Sequence, residues 1–112
     1  MKYALLIHTL PDSLDGLSDD ERAALTQEYT AVRELPGVVD GAQLQPAHTA
    51  TVVRSPNGQT LTTDGPFADT KEVFAGYFIL EADDLDTALD VASRIPATRM
   101  GGAVEVRPVV ER

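Results

Sequence analysis

The sequence predicts an α+β domain of the ferredoxin-like, split βαβ type: an antiparallel sheet with two helices on one face and an inserted β-hairpin. Three observations carry this reading. The elements run in the order β-α-β-(hairpin)-β-α-β. Two segments, 2–8 and 73–82, are apolar on both parities, as strands at the centre of a sheet are. The final segment, 103–109, alternates instead, with Val104 and Val106 on one side and Glu105 and Arg107 on the other, as suits a sheet edge.

Each element has a local reason. Residues 2–8 are short and continuously apolar, which suggests a strand buried on both faces. A turn-rich loop follows, Pro11-Asp12-Ser13-Leu14-Asp15-Gly16. Ser18-Asp19-Asp20-Glu21 is a capping box, with Ser18 as N-cap and Glu21 reaching back, and its acids suit the positive end of a helix. Leu25, Tyr29 and Val32 recur at helical spacing, and Pro36-Gly37 stops the helix. Val38-Val39, Gln43–Pro46 and Thr49–Arg54 are β-type. Asn57-Gly58 tolerates the positive φ of a hairpin turn, with Gln59–Thr63 returning. Asp83-Asp84 caps a second helix that Pro96 ends, with Leu85, Ala88, Leu89, Ala92 and Ile95 on one face.

Helices cover only one face of such a sheet, yet both central strands are apolar on both faces. The second face therefore calls for a cover, because soluble monomers rarely expose large apolar patches. Packing of two copies back to back through this face, as a homodimer, is the simplest cover. A small-molecule cleft in the same place is compatible with it, and a long loop folded over the face is the alternative.

The 112 residues make one domain, 1–112. There are 9 Lys and Arg against 18 Asp and Glu, a net charge of −9, which disfavours direct nucleic-acid binding. No cysteine is present, which excludes a disulfide scaffold, a thiol nucleophile and Cys-ligated metal. With three Tyr, three Phe and no Trp, the core must be mostly aliphatic. No apolar run approaches the ~20 residues of a membrane span, and the apolar run at the start is shorter than the ~7–15 residues of a secretory signal, so a cytoplasmic protein without membrane contact is expected.

The most distinctive segment is Asp64-Gly65-Pro66-Phe67-Ala68-Asp69-Thr70-Lys71-Glu72. Asp-Gly-Pro is turn chemistry, and Lys71 beside it can simply pair with an exposed acid. Alternatively, Asp64 beside apolar surface is a candidate general base. His8, at the end of a central strand, and His48, after Gln45-Pro46-Ala47, are the two histidines and candidates for proton transfer with Asp64. The same three residues form the one candidate metal trio, but they lack any ligand spacing, so no metal is expected. Tyr77, Arg107, Lys71, Arg54 and His48 are candidate ligand-binding residues, since guanidinium matches carboxylate geometry. No Gly-rich loop leads into a helix, and neither a flavin nor a nicotinamide site is supported, so no cofactor is expected.

Several segments together resemble the DGPF group of the YCII-related family. They are Met1-Lys2-Tyr3, Gly41–Pro46, Thr63–Glu72, Gly76-Tyr77-Phe78, Asp83–Asp86, Ile95-Pro96 and Gly102–Pro108. The resemblance implies a ferredoxin-like domain that pairs into a dimeric α/β barrel, cytoplasmic and bacterial. It further implies either small-molecule chemistry of lyase or dehalogenase type on a His–Asp pair, or an accessory role beside an extracytoplasmic-function sigma factor. The family's enzymes carry their histidine on the first helix, whereas residues 18–35 here contain none. The expected function is thus a homodimeric small-molecule-binding protein or cofactor-independent lyase-like enzyme, with a non-catalytic sigma-factor partner as the alternative.

Overall fold

A computed structural model describes residues 1–68 and 70–112; Asp69, within the distinctive 64–72 run, lies outside the described residues. The strands are β1 (Lys2–Thr9), β2 (Val38–Gln43), β3 (Thr51–Arg54), β4 (Leu61–Asp64), β5 (Val73–Glu81) and β6 (Ala103–Pro108); the helices are α1 (Asp19–Arg33) and α2 (Leu85–Ser93). Four strands form one antiparallel sheet in the order β2-β5-β1-β6, and β3 and β4 pair only with each other. This is the ferredoxin-like order with a hairpin inserted before β5. The two strands apolar on both parities occupy the centre, and the alternating strand lies at an edge.

The helix starts follow from their caps. The Ser18 side chain accepts from the Glu21 N–H, and the Glu21 carboxylate accepts from the Ser18 N–H, closing the capping box. Asp84 caps α2 by accepting from the Thr87 N–H and hydroxyl, both at 2.8 Å. After α1, Gly37 takes φ +92°, and a Cβ there would stand 2.5 Å from the Glu81 carbonyl oxygen. Only glycine lets the chain turn this close against β5.

Both helices cover the same sheet face. Tyr3, Leu5 and Ile7 of β1 and Phe78 and Leu80 of β5 are buried against Val32, Ala88, Val91 and Ala92 of the helices. Val104 and Val106 add to this core from the edge, while Glu105 and Arg107 face away and pair at 3.4 Å. Arg99 ties the turn after α2 to Glu28 of α1 through an ion pair.

The opposite face carries two rows set by strand register: Ala42, Tyr77, Leu6 and Glu105, then Asp40, Ile79, Ala4 and Arg107. Its central members Ala4, Leu6, Tyr77 and Ile79 are half-buried, while their neighbours on the helical side are buried. The hairpin connection is longer than the sequence suggests. Asn57 and Gly58 do take positive φ, 54° and 80°, but within a short helical turn over Pro56–Gly58, and β4 begins at Leu61.

The β3–β4 hairpin stands out as an arm. Of its strand residues only Val52 is even half-buried, and Val53 and Leu61 are exposed apolar residues. The radius of gyration is 15.8 Å, against about 13 Å for a compact chain of this length.

Candidate functional site

A cleft of about 730 Å³ lies between α1 and the helical side of the sheet. One wall is α1 itself. Arg22, Leu25, Thr26, Tyr29, Thr30 and Arg33 follow one another at spacings of three, one, three, one and three, a single helical stripe. The loop after β1 contributes Leu10 and Leu14, and the segment after β2 contributes Gln45 and His48. Gly76 forms part of the floor, and a Cβ there would stand 2.6 Å from the Ala42 carbonyl oxygen.

Both cleft arginines are held by backbone carbonyls. The Arg22 Nη2 donates to the Leu14 oxygen at 2.8 Å and its Nε to the Leu17 oxygen at 3.5 Å. The Arg33 Nη1 donates to the Gly41 oxygen at 3.1 Å. Among the described residues neither has a carboxylate partner. Burial pushes the Tyr29 phenol above its ordinary value, against the opposing pull of the Ala97 backbone and the Arg99 charge. Tyr29 therefore stays a neutral hydroxyl at physiological pH, able to donate a hydrogen bond.

A second, shallower hollow of about 590 Å³ lies at the ends of β1 and β5, with His8, Phe67, Lys71 and Phe74 on its walls. The His8 and Phe74 rings meet at 5.6 Å. A β-bulge makes this pairing: Ile7 opposes Gly76, His8 opposes Phe74, and Ala75 is the extra residue.

The sequence-nominated residues are thus dispersed. His48 lines the cleft, and Tyr77 borders it. His8 and Lys71 share the second hollow. Arg54 stacks its guanidinium 5.1 Å from the centroid of the Phe67 ring, fastening β3 to the turn after β4. Arg107 is exposed and paired with Glu105. Asp64 is exposed at the base of the arm, opposite Thr51, and lines neither hollow. His8, His48 and Asp64 are therefore divided between hollow, cleft and arm. Sequence reading missed Arg22, Arg33 and Tyr29 as site residues, although the stripe they share with Leu25 was present in the helical spacing.

A family model for the YCII-related domain matches residues 1–112, the whole chain. The chain belongs to the YCII-related family. An uncharacterised protein of Rhizobium meliloti (strain 1021) is 32% identical over 114 residues, spanning 97% of this chain and 92% of that relative. Within this YCII-related domain no helix of the described residues is long and apolar enough to cross a membrane.

Proposed function

We propose that this YCII-related protein is a homodimeric small-molecule-binding protein whose ligand occupies the cleft between α1 and the sheet. The observation that carries the binding reading is the cleft: 730 Å³ with largely apolar walls and a few converging polar groups, within the ~300–1,000 Å³ typical of such sites. His48 and the neutral Tyr29 hydroxyl are the groups there that can move a proton, which makes a cofactor-independent, lyase-like reaction the enzymatic form of this function.

The dimer reading rests on area. The chain exposes 7785 Å², about 1,800 Å² more than a compact monomer of 12.0 kDa. That excess matches one subunit's share of a large homodimer interface. The half-buried sheet face and the exposed arm both belong to that surface, and an isolated two-stranded hairpin is marginal in water. A second copy meeting the open face, with its arm reaching across, covers both. In this arrangement Asp64 sets where the arm leaves the domain.

Two measurements test this. Small organic compounds are screened by melting-temperature shift on the protein and on Thr26→Trp, whose indole fills the cleft. Compounds that stabilise the parent and not the variant are expected; compounds that stabilise both equally overturn the cleft assignment. Light scattering is expected to give twice the chain mass of 12.0 kDa, and a monomer mass at micromolar concentration overturns the dimer.

A further inference from the structure

The cleft has a charge unlike that of the chain. Acids outnumber Lys and Arg by 18 to 9 across the sequence. Yet among the described residues lining the cleft there is no Asp or Glu, while Arg22, Arg33 and His48 are present. Elsewhere Arg94, Arg99 and Arg107 each pair with a nearby acid. Arg22 and Arg33 are instead held by neutral carbonyls, which orient a guanidinium without cancelling its charge. Each uses one or two of its five N–H groups in this way and keeps others free.

We infer that the cleft selects a small organic acid: an oxyanion held by these arginines, with an aliphatic or aromatic body lying against Leu10, Leu14 and Leu25. This rests on the cleft being the ligand site. Arg22 and Arg33 stand eleven residues apart on one stripe, about 16 Å along the helix. One oxyanion therefore engages one of them, and the second either takes another acidic group or supplies long-range attraction. Fixed guanidinium groups are well suited to this, because their planar fork of N–H donors matches an oxyanion's geometry and is already oriented, whereas an ammonium is a mobile point charge. A lining without acids among the described residues also removes the like-charge repulsion that an anion meets over the rest of this surface.

The test uses two dyes that share a chromophore and differ in charge. 1-Anilinonaphthalene-8-sulfonate is anionic, and N-phenyl-1-naphthylamine is its uncharged counterpart. Both are titrated into the intact protein, into Arg22→Gln and Arg33→Gln, and into the cleft-filling Thr26→Trp. Far-ultraviolet circular dichroism and melting temperature confirm that each variant is folded. Arg22→Lys serves as a second variant, which keeps the charge if Arg22→Gln loosens the 10–17 loop.

The anionic dye is expected to bind at least about tenfold tighter than the neutral one, and at least one Gln variant is expected to weaken it by about tenfold, the loss of one charge-assisted hydrogen bond. Neutral-dye affinity should change less than about twofold, and raising sodium chloride from about 0.05 to about 0.5 M should weaken only the anionic dye. Thr26→Trp is expected to abolish both. Equal binding of the two dyes, with both lost in Thr26→Trp, overturns the organic-acid inference and leaves the cleft as the ligand site. Binding that survives Thr26→Trp, or no binding of either dye, overturns the cleft as the site and the inference with it.

Discussion

His8 and Phe74 face each other across β1 and β5, ring centroids 5.6 Å apart and planes inclined by 53°. The bulge at Ala75 brings them together at the second hollow; Phe74 also borders the α1 cleft, whereas His8 does not. On this geometry His8 acts as an aromatic packing partner. His8→Ala is expected to lower stability by about 0.5–1.5 kcal/mol, the usual worth of such a pair. His8→Phe should restore it, and chemical denaturation measures both. Dye affinity in the cleft should be unchanged in each. Loss of cleft binding in His8→Phe would show that the imidazole serves the site.

Ile79 lies mid-strand in β5 on the open sheet face, in register with Ala4 and Asp40. Ile79→Lys places a charge where the proposed partner's sheet packs, and burying it is costly even beside Asp40, because both groups must lose their water. Sedimentation equilibrium is expected to show a monomer of the 12.0 kDa chain with its secondary structure retained. A variant that stays dimeric would move the interface elsewhere.

The fold was legible because its signals are local and mutually consistent. Ser18 and Glu21 announce one helix, Asp84 the other, and the two-sided apolar character of 2–8 and 73–82 marks the centre of the sheet. The site was not, because the cleft is assembled from segments far apart in the chain. Leu10, Arg22, Arg33, His48 and Gly76 have nothing in common until β1, α1, β2 and β5 are packed together. The absence of carboxylates among the described residues of the cleft is likewise a property of the surface, and a sequence with 18 acids conceals it. Conversely, the 64–72 run is conspicuous as residues, yet Asp64 sits exposed at the base of an arm. Gly65 beside it takes φ 104°, the backbone of a tight turn.

Leu5 and Leu6 are chain neighbours on opposite sheet faces, one fully buried and one half-buried. Leu5→Ala leaves a void under both helices and is expected to cost about 2–5 kcal/mol. Leu6→Ala should cost clearly less in the monomeric Ile79→Lys background, where no partner covers that face. Urea unfolding compares the two. Equal costs in that background would mean that the open face is buried within a single chain.

Asp84 gives stability a defined dependence on pH. Its carboxylate accepts the Thr87 N–H and hydroxyl, and these bonds hold its pKa below the ordinary value of 3.8. A carboxyl depressed in the folded state contributes stability that is present above its unfolded value and lost as pH falls through the folded one. Glu81 acts in the same direction, lowered from 4.5 chiefly by its hydrogen bond from the Met1 ammonium at 2.8 Å. The Met1 amine, raised from 8.0 by that contact, contributes below its unfolded value and loses this as pH rises through the folded one. All three groups are solvent-exposed, so each contribution is screened and small. Asp84→Asn keeps a good N-cap and removes one titrating group. Urea unfolding from neutral pH down to about 3 is therefore expected to show a shallower acid-side loss in Asp84→Asn than in the parent. Parallel acid-side slopes would mean that the cap does not distinguish the ionised carboxylate from the acid.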